Sequence, residues 1–169
     1  MGSRAVRQSI MIRVAMLLFA GLALALQPAV AKEKGYARYV LGTLSSPTPG
    51  PVSGGLLLMG GGDRNIDSLK WFFAKAGHGH IVILRASLGP EIGEEFFRDV
   101  GGIQSAETFV FANRTAATDK KLLASLRRAD GIFIAGGDQS RYVRYWRGTP
   151  VAEILDAHVA AGKPLAGTS

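Results

Sequence analysis

From residue 56 onward the chain alternates short unbroken apolar runs with longer segments in which apolar residues recur every three or four positions. Four runs, at 56–59, 80–84, 108–111 and 131–135, are rich in β-branched and aromatic residues and bounded by glycine or polar residues, which predicts buried strands. The segments between them predict amphipathic helices over 66–76 (Ile66, Leu69 and Phe73 on one face), 92–100, and 119–129 (Leu122, Leu123, Leu126). A last helix is marked by Thr149 as N-cap, Pro150 at the first helical position and Gly162 past its end. Pro164 stops it, and Leu165-Ala166 begins a fifth strand running into Gly167-Thr168-Ser169. Strands alternating with helices imply βαβ units, hence an α/β fold with a parallel sheet flanked by helices. A sheet ending one residue into a strand-to-helix turn lacks the helix that would cover its face, so the domain is expected to be incomplete at its C-terminus.

The pattern before residue 56 is different. Arg4, Arg7 and Arg13 precede a continuous apolar run at 14–26, and Ala29-Val30-Ala31 supplies small residues for cleavage. Residues 1–31 therefore read as a secretory signal peptide cut after Ala31, and the protein as secreted or periplasmic. A membrane anchor is the rival reading, but a spanning helix wants roughly 20 apolar residues and this run breaks at Gln27-Pro28. No stable anchor is expected after cleavage. Residues 32–55, crowded with Pro, Gly and Ser near 45–55, read as a flexible lead-in, and 56–169 as part of one α/β domain.

Composition narrows the chemistry. The formal charge of +7 falls to +4 once the three arginines of the leader are set aside, and no Lys/Arg run marks a nucleic-acid footprint. The absence of cysteine removes disulfides, thiol nucleophiles and thiolate metal sites. No metal or cofactor is expected.

Sites in parallel α/β sheets form beyond the carboxyl ends of the strands. Three motifs fall there. Gly60-Gly61-Gly62-Asp63 lets backbone approach a ligand, with Gly61, Gly62 and Asp63 as a candidate substrate loop; the alternative is a plain turn in which Asp63 helps start a helix. A dinucleotide fingerprint would need glycine where Asn65 stands. Gly136-Gly137-Asp138-Gln139 offers free amides to an oxyanion or carboxylate, with Asp138 and Gln139 at the same mouth; the alternative for these side chains is capping the next helix. Gly167-Thr168-Ser169 matches the first half of a Gly-x-Ser-x-Gly elbow, in which a strand-to-helix turn exposes a nucleophilic serine.

These three segments, with Arg144-Tyr145-Trp146-Arg147-Gly148-Thr149-Pro150 between them, resemble in order and spacing the N-terminal half of the cyanophycinase family of serine peptidases. The resemblance implies a flavodoxin-like or class I glutamine-amidotransferase-like fold. It also implies Ser169 as the catalytic nucleophile, Gly136 and Gly137 as oxyanion or substrate contacts, and Gln139 as a substrate-binding residue. Family members cleave peptide bonds next to acidic residues, cyanophycin itself being a poly-aspartate with arginine branches. A peptide substrate is thus the expected partner, and a homodimer is compatible with the reading. The family's catalytic histidine lies beyond the elbow, so the chain as written is expected to be inactive. His78 and His80 precede a strand, at the wrong edge of the sheet, and His158 lies mid-helix. Arg141, Arg144 and Arg147, interleaved with Tyr142, Tyr145 and Trp146, read either as a cradle for an acidic polymer or as one solvated and one packed helix face. Glu91, Glu94 and Glu95 read either as a guanidinium site or as first-turn acids. A rival of another class is a non-catalytic exported module holding a small acidic ligand.

Overall fold

The computed structural model describes residues 31–33, 35–45, 49–87 and 89–168. The expected signal peptide, save Ala31, and Ser169 lie outside the described residues. Strands β1 (Ala31–Glu33), β2 (Tyr36–Gly42), β3 (Leu56–Met59), β4 (His80–Arg85), β5 (Ser105–Phe111), β6 (Gly131–Ile134) and β7 (Leu165–Thr168) form one sheet in the order β1-β2-β5-β4-β6-β7-β3. β5, β4, β6, β7 and β3 are parallel, as the alternating pattern predicts.

β4 reads outward in both senses along its backbone. Ile81 and Ile83 join Leu69, Phe72, Phe73, Phe96 and Phe133 on one face; Val82 and Leu84 join Phe109, Leu122, Leu126, Ile132 and Trp146 on the other. Each face carries helices, which is why the strand is apolar at every interior position rather than at alternate ones. Helix α1 (Ile66–Lys75) seals the first face, together with α2 (Glu91–Glu94) and the π-helical stretch Glu95–Val100. A 3₁₀ turn (Arg114–Thr118), α3 (Lys120–Arg128), α4 (Gln139–Trp146) and α5 (Pro150–Ala160) seal the second.

Several expectations need correction. The stretch 32–55 is not uniformly a lead-in: Tyr36–Gly42 is a seven-residue strand antiparallel to β5, with β1 antiparallel to it, so the sheet is mixed at one edge. Its Tyr36, Tyr39 and Val40 are residues that favour strands, a signal masked by the Pro/Gly/Ser bias that starts only at 45. β5 begins at Ser105, not 108, because Ser105 and Glu107 are buried polar residues that interrupt the apolar signal. Glu107, fully buried, accepts hydrogen bonds from Arg38 Nε (2.6 Å), His80 Nε2 (3.0 Å) and Ser125 Oγ (3.0 Å), tying β2, β4 and α3 to β5. Burial alone would raise its carboxyl, but hydrogen bonds from His80 and Arg38 and their charges outweigh it and hold it below the ordinary carboxylate value. Helix starts also differ in detail. Asn65, not Asp63, caps α1 by accepting the Ser68 amide, and the Thr149 hydroxyl donates back to Trp146 O (2.6 Å) instead of capping α5.

Candidate functional site

The chain order of the parallel strands reverses between β4 and β6: β5 is laid on one side of β4, and β6 and β7 on the other. Loops leaving the carboxyl ends of adjacent strands part at such a switch point, opening a crevice. The register fixes what meets there. Leu84 lies opposite Ile134, Ile134 opposite Gly167, and Met59 opposite Thr168. Gly60, Gly136 and Thr168, far apart in sequence, therefore stand along one edge. Thr168 Oγ1 donates to Gly60 O at 2.7 Å, which locks the end of β7 to the first glycine loop.

Between these loops lies a crevice of about 330 Å³ lined by Leu58, Met59, Ile134, Gly136, Gly137, Gln139, Tyr142 and Thr168, among others. Its walls are mostly apolar. Gly137 has φ +143, a conformation that favours glycine, and a Cβ there would stand 3.0 Å from Ser87 Oγ and crowd that hydroxyl. Among the described residues the amides of Gly136 and Gly137 have no backbone acceptor. The Tyr142 hydroxyl donates to Ala135 O (2.6 Å) and lies 3.1 Å from Gly136 O, so one side chain of α4 holds the glycine loop in place. Burial pushes that hydroxyl's pKa up, keeping it a neutral donor.

Asp138 caps α4, accepting the Ser140 amide at 2.9 Å. Hydrogen bonds from the Ser140 side chain and amide hold its carboxyl below the usual range. Its helix-capping role is thus filled, and Gln139 is the motif's side chain on the crevice wall. Gly61, Gly62 and Asp63 are exposed beside the crevice but do not line it; Gly62 takes φ +96. Ser169 follows Thr168 in sequence and lies outside the described residues.

The remaining candidates sort by geometry. Arg141 Nη1 donates to Ala86 O (3.1 Å), Tyr142 and Trp146 stack at 4.7 Å against the core, and Arg144 is exposed, so the arginine and aromatic stripe of α4 is one solvated and one packed face. Glu91 pairs with Arg85 (2.9 Å) and Glu95 with Arg64, occupying both acids within the fold. All three histidines sit toward the amino ends of strands. His78 precedes β4 and binds Gly102 O, His80 opens β4, and His158 Nε2 donates to Pro164 O just before β7. No cluster of three or more metal-ligating side chains occurs among the described residues, and no helix among them is long and apolar enough to cross a membrane.

Two contributors escape a sequence reading. Ser87 packs against Gly137, and Arg85, only 2 % exposed, closes β4 at the switch point. The signal for Arg85 is in the sequence all the same: a charged residue closing an apolar strand.

Residues 97–169 match the model of peptidase family S51. Cyanophycinases from Trichormus variabilis and from a Nostoc species are each 32 % identical over 137 residues, covering 75 % of this chain and 46 % of theirs. A cyanophycinase from Synechococcus elongatus is 33 % identical over 90 residues. The chain spans about half the length of the first two relatives. A crystal structure of a peptidase from an acI-B1 Actinobacterium shares the fold with a TM-score of 0.56 at 18 % identity, covering 72 % of this chain and 56 % of that one. Over residues 97–169 the chain matches peptidase family S51 and over 137 residues it is cyanophycinase-like in sequence, while the solved peptidase shows the shared α/β fold.

Proposed function

We propose that the protein is an exported serine-type peptidase that cleaves peptide bonds beside aspartyl residues, in cyanophycin or related β-aspartyl-arginine peptides, through an acyl-enzyme on Ser169. The observation carrying this reading is the meeting of Gly60, Gly136-Gly137 and Thr168 around one crevice, with Ser169 as the next residue of the chain. Two amides at a strand end, without a backbone acceptor among the described residues, suit a developing oxyanion, and an apolar wall excludes water from it. Gln139 supplies a mixed donor and acceptor for the substrate's amides.

A serine hydroxyl needs a base within hydrogen-bond reach. His78, His80 and His158 stand toward the opposite ends of the strands, which speaks against each of them as that base and supports the reading that the 169-residue chain alone is inactive. The test uses protein expressed from the native reading frame, incubated with cyanophycin. Release of β-aspartyl-arginine, followed by mass spectrometry, should disappear in Ser169→Ala; undiminished release would refute the assignment. The leader at 1–31 supports export, and finding the protein in the periplasm or medium with Lys32 as its first residue tests that part.

A further inference from the structure

The solvated face of α4 carries positive charge that the fold leaves unbalanced. Arg141, Arg144 and Arg147 recur at three-residue intervals and are all exposed. With a rise of about 1.5 Å per residue they form a row about 9 Å long down the helix. Elsewhere arginines meet acids within the fold: Arg38 pairs with Glu107, Arg64 with Glu95 and Arg85 with Glu91. Along α4 the acid paired with an arginine is Asp138, 3.6 Å from Arg141; among the described residues Arg144 and Arg147 are paired with none. Arg114 adds a further charge at the end of the row. Its Nη1 donates to Arg144 O and its Nη2 to Arg147 O, both at 2.8 Å, which satisfies terminal carbonyls and pins the backbone that carries those two side chains.

The row begins at the crevice. Gln139 and Tyr142 of the same helix line it, and Arg141 between them donates to Ala86 O (3.1 Å), just past the end of β4. A ligand leaving the crevice along α4 therefore meets Arg141, then Arg144 and Arg147. The aromatic rings of the helix are turned to the fold. Trp146 is buried and stacks with Tyr142, whose hydroxyl donates to Ala135 O, and the Tyr145 hydroxyl donates to Ala112 O. Single-stranded nucleic acid is held by exposed rings on which bases stack, so cations without such rings favour carboxylates. Arginine grips a carboxylate with two parallel hydrogen bonds.

We propose that the arginine row of α4 is an accessory binding surface for an acidic peptide, holding successive carboxylates of a chain that extends out of the crevice. This deepens the reading of the site above and rests on it for the occupant: the row supplies affinity and register for a long acidic substrate, while bond cleavage stays with Ser169. Side chains on one face of an extended peptide repeat about every 7 Å, so the row takes two carboxylates. Asp138 tempers the surface, because it competes for the charge of Arg141.

Fluorescence anisotropy of fluorescein-labelled hexa-L-aspartate tests this on native-frame protein carrying Ser169→Ala, which keeps the probe intact. Binding should be saturable and should weaken as salt is raised, since the charges are exposed. Arg144→Gln combined with Arg147→Gln should weaken it about 10-fold, and Asp138→Asn, which keeps a capping side chain, should tighten it about 2-fold. A damaged fold would not produce that gain. No saturable binding, equal binding by hexa-L-asparagine, unchanged affinity in the double variant, or no gain in Asp138→Asn would overturn the proposal. So would equally tight binding of an oligothymidylate with six phosphates, which would assign the face to nucleic acid. Arginine-dependent binding of hexa-aspartate without hydrolysis of cyanophycin by the unaltered native-frame protein would remove the peptidase reading and leave this surface standing; hydrolysis without arginine-dependent binding would do the reverse.

Discussion

Glu107→Gln tests the internal polar network more sharply than any core truncation, because shape is kept and only charge and one acceptor are lost. In the native fold Oε1 accepts from Arg38 Nε and Ser125 Oγ, while Oε2 accepts from His80 Nε2 and lies 3.8 Å from Arg128. An amide NH₂ in either place faces a donor. The cheaper arrangement turns it to His80, which can change tautomer, accept at Nε2 and donate from Nδ1 to Ser105 Oγ, 2.8 Å away. Arg38 then loses its counter-ion, softened by its 29 % exposed side chain. Breaking a buried pair costs about 3–5 kcal/mol, and these two reliefs place the loss near 3. At about 2–4 °C per kcal/mol for a domain of this size, the melting temperature should fall by about 10 °C. The sign with pH follows from the lowered carboxyl. Its contribution is complete above the ordinary value of 4.5 and is lost as pH falls from there through the lower folded value. Urea unfolding followed by circular dichroism should therefore show a constant gap between wild type and variant near neutral pH, closing below 4.5. A gap under about 1 kcal/mol at neutral pH, or one that persists in acid, would refute the reasoning.

Other consequences are equally concrete. Gly137→Ala forces a side chain into φ +143 with Ser87 Oγ 3.0 Å away, and should lower stability by about 1–3 kcal/mol in thermal melts while weakening ligand binding at the crevice. Asp119 caps α3 through the Lys121 and Leu122 amides and accepts the Tyr36 hydroxyl (3.0 Å); Asp119→Ala should cost about 1–2 kcal/mol in urea unfolding, and no loss would show that the cap contributes nothing. Burial lowers the His158 pKa from its ordinary 6.5, so the neutral ring stabilises the fold above that value and the contribution is lost as pH falls through the folded value. His158→Gln should flatten stability against pH in that window, which a melt series in buffers across it would detect.

The parallel part of the sheet was legible because strands buried on both faces must be apolar throughout, and 131–135 is read almost to the residue; 56–59 is a strand too, but at the sheet edge with Leu56 and Leu58 exposed, not buried as its apolar run predicts. What escaped depended on contacts between distant segments. β2 hides in a stretch dominated by its Pro/Gly/Ser-rich neighbours, and it is recognisable as a strand only beside β5. The first turn of β5 is polar because Glu107 is neutralised by Arg38 and His80, 69 and 27 residues away. At the site, the glycine motifs are visible in sequence because backbone approach needs them. Ser87 meets Gly137 only because the switch point brings β4 beside β6. Asp63 and Asn65 illustrate the limit of capping rules: both suit a helix start, and the backbone path past Gly62 decides between them.

In the proposed function, the glycine-lined crevice at the carboxyl ends of β6, β7 and β3 delivers substrate to Ser169. Peptide mapping of the native-frame protein after treatment with a fluorophosphonate tests it most directly, since the reagent bonds only to a serine that a nearby base activates. One adduct is expected, on Ser169, suppressed by an aspartyl peptide. An adduct on another serine, or labelling of Ser169 that the peptide leaves unchanged, would contradict it.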